Sequence, residues 1–269
     1  MKYKYFRKGL ALPFALFLIL FVIIPILFII FYAFTDNQGF FSFDAVVSFF
    51  TSTTKLNVLL VSILVGLFNT VLCLLIGFPL AYLLANPKFN KNYVLVMLFV
   101  MPMWINFVLR TGALRDLLSI VLGWFNTTNG EHPLFCTMVG MVTNYLPFTI
   151  LPLYSTMLKL DKSQIEAAQD LGCNPFKTFT RNIIPQTLPG LVSASMMVFM
   201  PTISSYVISD TLSEGKIMLF GNSIYLSFSN SDWNGGSFMS LIMLIIIFIV
   251  MFATKKFQGN GSERRLSAW

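Results

Sequence analysis

The chain has 269 residues, 56% of them hydrophobic and only 11% charged, with a net charge of +7 and a mean hydropathy of +0.76. A soluble domain carries roughly 25% charged residues, so a chain this apolar cannot cover itself with polar surface, and the bilayer is its expected solvent. No basic patch interleaved with aromatics marks a nucleic-acid face, so the positive balance needs another account.

Uncharged runs mark six expected spans: Gly9–Thr35, Leu56–Pro87, Asn92–Leu109, His132–Leu158, Asn182–Ser209 and Trp233–Thr254. Each is long enough for about 20 helical residues across roughly 30 Å of hydrocarbon, the third being the shortest. The first follows Lys2, Lys4, Arg7 and Lys8 as a signal peptide would, but its apolar stretch is too long and no small-x-small site follows Phe34. It reads as an uncleaved anchor. The expectation is an all-α membrane protein: a basic tail over 1–9, a transmembrane domain over 10–257 and a tail over 258–269.

Between the third and fourth runs, Leu114, Leu117, Leu118, Val121, Leu122 and Phe125 recur at helical spacing. They predict an amphipathic helix on the outer membrane surface or against the spans. Between the fourth and fifth lies the longest charged interlude, Lys159 to Pro189, with strong helix punctuation. Asp161 can cap a first helix, with Gln164 as reciprocal partner and Leu160 and Ile165 as a hydrophobic staple. Ile165, Ala168 and Leu171 form a short apolar stripe, and Gly172 suits a left-handed C-terminal cap. Asn174-Pro175 opens a second helix, and Pro185 and Pro189 prevent a continuous hydrogen-bonded helix from there into the next span without a break or kink. The Asp210–Gly235 stretch, with Phe220, Tyr225, Phe228 and Trp233, is too apolar for a solvated loop and is expected to fold back or meet a partner. Pro25, Pro79, Pro102, Pro147, Pro152 and Pro201 interrupt the runs and suit helices bent around a pathway.

Lys and Arg divide fourteen to four between the two sides defined by six spans, which places both termini and the Lys159–Pro189 loop in the cytoplasm. The outer side, with Asp36, Asp44, Asp116, Glu131, Asp210, Glu214 and Asp232, nets −3. No phosphate-cradling loop is present: Gly215-Lys216 lacks the upstream Gly, where Asp210 stands, and the following Ser or Thr. Cys73, Cys136 and Cys173 show neither metal spacing nor a pairing, and His132 has no catalytic partner. No cofactor, metal or enzymatic activity is expected. No Asp or Glu falls within the six runs, which argues against a proton-coupled secondary transporter.

Glu166-Ala167-Ala168, three residues, then Gly172, nine more, and Ile183-Ile184-Pro185 after Asn182 together resemble the EAA loop of ABC-importer permeases. Asn182 departs, standing where the family usually has Ile. Further stretches resemble the B-type subunit of the spermidine/putrescine branch over roughly Leu56 to Thr254. These are Pro102-Met103-Trp104-Ile105-Asn106 with Arg110, Leu146-Pro147-Phe148 to Ser155, Tyr206 to Asp210, and Gly221-Asn222-Ser223-Ile224 to Asp232-Trp233. Asn234 departs from the Pro usual after that Asp-Trp.

The resemblance implies a type I ABC importer transmembrane domain in a bacterial inner membrane, with the loop as a cytoplasmic coupling helix between spans four and five. Glu166, Ala167, Ala168, Asp170 and Gly172 would then serve ATPase coupling. The implied partners are a homologous second permease, two copies of a cytoplasmic ABC ATPase, an extracellular polyamine-binding protein and membrane lipid. A polyamine path needs carboxylates and aromatic faces, which makes Asp210 and Tyr206 candidates, with Trp104 and Tyr145 beside them. A permease for a different small solute is the serious alternative; a non-transporting membrane scaffold would leave the EAA spacing unexplained.

Overall fold

The computed structural model describes residues 13–36, 38–86, 93–125 and 127–266. The basic tail expected over 1–9 lies outside them. The described chain is helical, and its pairing outside helices is one bridge between Thr35 and Phe41. Among the described residues, five helices are long and apolar enough to cross a membrane alone: α1 (Pro13–Ala33), α3 (Thr53–Ala85), α6 (Pro133–Met157), α8 (Pro175–Ser204) and the Trp233–Lys255 part of α11 (Trp233–Leu266). They match the first, second, fourth, fifth and sixth charge-free runs. Beyond the boundary expected at 257, α11 runs on to Leu266.

The third run is not one straight helix. α4 (Val94–Val100) tightens into a 3₁₀ turn over Met101–Trp104, breaks at Ile105, and restarts as α5 (Phe107–Gly123), bent by 99° from the first piece. Pro102 starts the tight turn, Ile105 is extended (ψ 141°), and the Asn106 side chain accepts from Val108 N and Leu109 N as an N-cap. The amphipathic helix expected from Leu114 is therefore the later part of α5. It packs against the spans: Leu118 is buried, and Leu114 and Leu122 join the core around Met141 and Val198, while Leu117 and Phe125 are exposed.

Two prolines share one device. A π-helical turn over Ile19–Ile23 precedes Pro25 in α1, and another over Phe179–Ile183 precedes Pro185 in α8. In each, the N–H of the Ile before the proline reaches five residues back, Ile24 to Ile19 and Ile184 to Phe179. Proline clashes with the carbonyl four residues upstream, and the wider turn relieves that clash. So Pro175 to Ser204 is one helix with a wide turn, and the second short helix expected at Asn174-Pro175 is the start of the fifth span.

The chain folds as two compact units. One comprises the described residues of Met1–Asn57 with Ser223–Ile246. In it, α2 (Asp44–Thr51) buries Phe49 edge-on to Phe238, ring centroids 5.7 Å apart, and Asn234 Nδ2 donates to the Tyr32 carbonyl at 3.1 Å. The other comprises Val58–Asn222 with Ile247–Trp269. Its centre is α6, which buries Gly140, Met141, Asn144, Tyr145, Ile150 and Leu153. Small residues sit at its crossings, as close backbone approach in a membrane requires. A Cβ on Gly140 would stand 1.9 Å from Leu212 Cδ1. One on Gly190 would stand 2.5 Å from Thr156 Oγ1.

The Asp210–Gly235 stretch does fold back. α9 (Val207–Ser213), α10 (Phe220–Ser229) and the first turn of α11 account for most of it, and Leu219 and Phe220 are fully buried. Phe220 N donates to Ser62 Oγ at 2.7 Å.

Candidate functional site

The loop between the fourth and fifth spans carries α7 (Lys162–Asp170). Asp161 caps it: Oδ1 accepts from Ser163 N at 3.1 Å and from Ser163 Oγ at 2.6 Å, and Oδ2 accepts from Gln164 Nε2 at 3.1 Å. The Ser163 hydroxyl, foremost among these donors, holds the exposed carboxyl below its usual value. The reciprocal bond differs from the expected capping box. Gln164 reaches the Asp161 carboxylate, and the Asp161 N–H goes instead to Gln186 Oε1 at 3.4 Å.

Leu160 and Ile165 both pack on one cluster with Ala81, Leu84, Ile150, Met157 and Ile183, as the staple predicts. At the far end Gly172 has φ +79°, its N–H reaches the Gln169 carbonyl at 2.9 Å, and Cys173 N reaches Ala168 O at 3.1 Å. This is the two-bond Schellman closure that a left-handed glycine permits. Leu171 does not join the apolar stripe. The helix ends at Asp170, so helical periodicity no longer applies to Leu171, which stands 86% exposed.

The result is a helix pinned on one face and open on the other. Glu166, Ala167, Asp170, Leu171 and Gly172 are exposed, Ala168 is half-buried, and Phe176 on the first turn of α8 is 74% exposed. On this open face carboxylates stand beside bare apolar groups.

The second candidate group lies where the fifth span ends. α8 stops at Ser204, Ser205 is extended (ψ 130°), and α9 restarts at Val207. Tyr206 and Asp210 therefore belong to a separate short helix and not to the span itself. Gly221 lies against the break: a Cβ there would stand 2.4 Å from the Ser204 carbonyl oxygen, so α10 starts directly against it. Asn222 fixes the new helix, accepting from Ser209 Oγ at 2.7 Å and donating to the Tyr206 carbonyl at 3.4 Å. α9 buries Ile208, Ser209, Leu212 and Ser213 and leaves Tyr206 and Asp210 exposed, one turn apart, with Asp210 N bonded to Tyr206 O at 3.0 Å.

Trp104 and Tyr145 part company. Trp104 is 87% exposed in the 3₁₀ turn. Tyr145 is buried, and its hydroxyl donates to the Pro201 carbonyl at 3.2 Å, so it braces the end of α8. The residues linking these groups, Arg110 and Asn144, were not candidates from sequence. Arg110 donates from Nε to Asn144 Oδ1 at 2.7 Å and from a terminal nitrogen to Pro102 O at 2.7 Å. It thus ties the turn before the 99° break to α6, beside Tyr145. Its position four residues after the capping Asn106 was the available signal.

A family model described as "Binding-protein-dependent transport system inner membrane component" matches residues 3–260. The chain belongs to this family. It is 33% identical over 251 residues to the Escherichia coli (strain K12) spermidine/putrescine transport system permease protein PotB, covering 87% of this chain and 91% of that one. The relative of the same description from Haemophilus influenzae is 33% identical over 261 residues, covering 88% and 90%. Among solved structures, a bacterial ABC transporter involved in the import of the acidic polysaccharide alginate matches with TM-score 0.70 at 17% identity, covering 95% of this chain and 96% of that one. The MetNI methionine ABC transporter in an inward-facing conformation matches with TM-score 0.57 at 16% identity, covering 78% and 99%. The fold is that of a type I ABC-importer transmembrane domain, and the chain is an inner-membrane permease subunit.

Proposed function

We propose that this permease forms half of the translocation pathway for polyamines of the spermidine/putrescine class. It pairs with a homologous permease, two copies of a cytoplasmic ABC ATPase and an extracellular binding protein. The substrate class rests on similarity to permeases of spermidine/putrescine systems across nearly the whole chain. It accords with the chemistry of the exposed Tyr206 and Asp210, an aromatic face and a carboxylate one helical turn apart. The ATPase docks on the open face of α7, where Glu166 and Asp170 stand beside Ala167, Leu171 and Gly172. That face is cytoplasmic by the fourteen-to-four division of Lys and Arg, as are both termini and the tails at 1–9 and 258–269 that flank the permease domain. ATP is hydrolysed by the partner, since the chain carries no phosphate-cradling loop. The test is reconstitution in vesicles with ATPase, second permease and binding protein. ATP-dependent uptake of radiolabelled spermidine or putrescine is expected. Uptake of neither, with another solute carried, reassigns the chain to a different substrate.

A further inference from the structure

The coupling helix and the fifth span are joined by more than their connecting turn. Asn182, within the π-turn of α8, donates from Nδ2 to the Gln164 carbonyl at 2.9 Å. Gln186, one turn on, donates from Nε2 to Gln164 Oε1 at 3.2 Å and to Asn182 Oδ1. Its Oε1 accepts from Asp161 N at 3.4 Å, and Gln164 Nε2 closes the group on Asp161 Oδ2 at 3.1 Å. Each of the three amides both donates and accepts within this group, which is the condition under which a polar cluster rigidifies its surroundings. The covalent link closes onto α7 itself, through the Gly172 and Cys173 N–H groups. Gly172 is left-handed, and a Cβ there would meet nothing within 4 Å. Apolar contact, Ile165 and Ile183 packing on one cluster, holds the two elements together without fixing their direction.

We infer that Asn182, Gln186 and Gln164 are a brace that makes α7 and the adjoining end of α8 one rigid body. A displacement imposed on α7 then becomes a displacement of the fifth span instead of being absorbed at Gly172. The π-turn carries Asn182, and Gln186 follows between Pro185 and Pro189, which remove two backbone donors from the same stretch of α8. Asn182 and Gln186 are positioning residues, half-buried behind the face that carries Glu166. The inference rests on the docking reading given above.

The experiment uses the reconstituted importer and reads polyamine carried per ATP hydrolysed. Asn182→Leu keeps size and removes both hydrogen-bonding arms; Gln186→Met does the same one turn away. Both variants are expected to assemble with the ATPase, to melt like the parent, and to carry about fivefold less polyamine per ATP, equivalent to about 1 kcal/mol. Should Asn182→Leu fail to assemble, Gln186→Met decides. A ratio within twofold of the parent overturns the brace. Glu166→Lys separates the two ideas. If it uncouples while both brace variants couple normally, the brace alone fails. If Glu166→Lys and Gly172→Asp both couple normally, the docking reading fails.

Discussion

Asn69 on α3 donates from its side-chain amide to the hydroxyl of Thr202 on α8 at 2.9 Å, both fully buried and 133 residues apart. The Asn69 oxygen accepts from Cys73 Sγ at 3.7 Å, and Thr202 Oγ1 also reaches Val198 O at 2.6 Å. This polar contact joins the second and fifth spans in a region otherwise packed by Val65, Val198 and Ile203. Interhelical hydrogen bonds in membranes average about 0.6 kcal/mol and reach about 1.7. Removing the Thr202 hydroxyl leaves the Asn69 amide donor buried and unsatisfied, at about 1–3 kcal/mol, whereas Thr202 without Asn69 keeps its bond to Val198 O. Thr202→Val alone is therefore expected to lower the melting temperature more than the double variant Asn69→Leu/Thr202→Val. A double-mutant cycle in detergent checks this, and strictly additive losses would refute the coupling.

The second prediction concerns the open face of α7. Charge-assisted contacts between a docking carboxylate and a basic group are worth about 1.5–3 kcal/mol. Glu166→Lys reverses that charge on an exposed residue and leaves the helix's own packing, through Ile165, intact. Gly172→Asp sets a negative side chain at φ +79°, in open space, where Asp tolerates the left-handed conformation better than most residues. Both variants are expected in the membrane at parental level, with ATP hydrolysis uncoupled from uptake. Gly172→Asn, which tolerates the same conformation without charge, is expected to retain most coupling. Parental uptake by both charged variants would remove α7 as the docking element.

The cap of α7 predicts a pH dependence. Asp161's carboxyl lies below its ordinary value because the Ser163 hydroxyl, first, and then the Ser163 N–H and Gln164 side chain donate to it. A depressed carboxyl contributes stability that is present above its unfolded value, about 3.9, and is lost as pH falls through the folded value. Resistance of the loop to limited proteolysis should therefore be level from about pH 8 to 5 and fall below about pH 4. Asp161→Asn should lack that component of the fall. Identical profiles for the two proteins would show that the carboxylate does not hold the loop.

Much of this was legible in charge-free runs and punctuation. The run His132–Leu158 became Pro133–Met157, and Asp161, Gly172 and Asn174-Pro175 cap as their chemistry dictates. What escaped the sequence was set by tertiary contact. The run from Asn92 to Leu109 carries no charge to mark its break at Ile105, which depends on Arg110 reaching back to Pro102 and across to Asn144. At the break at Ser205, Gly221, sixteen residues on, lies against Ser204. Tyr145 looked like a lining aromatic because composition places it in a span; only the fold turns its hydroxyl to Pro201. Asn182 looked like a lapse from a motif, and its role emerges only with Gln164 and Gln186 beside it.

The last prediction concerns Asp210. The break at Ser205 detaches it from the fifth span and sets it on α9, whose buried face is fastened by Leu212 against Gly140 and by Ser209 to Asn222. A carboxylate on a short helix held this firmly, with Tyr206 one turn before it, is presented in a fixed direction. Of its backbone groups, the N–H goes to Tyr206 and the carbonyl accepts from Gly215 at 3.1 Å, so ending α9 needs the backbone of Asp210 and not its charge. Asp210→Asn preserves shape and both backbone bonds. If the carboxylate meets an ammonium group of the substrate, this variant should lower transport about tenfold, equivalent to about 1.4 kcal/mol. Asp210→Glu should keep part of the activity, because the charge remains on the same face. Assembly with the ATPase should be unchanged in both, and the loss should shrink as salt rises, since exposed charges are screened beyond about 10 Å at 0.1 M. Transport by Asp210→Asn within twofold of the parent at low salt would leave Asp210 as a residue that only terminates α9.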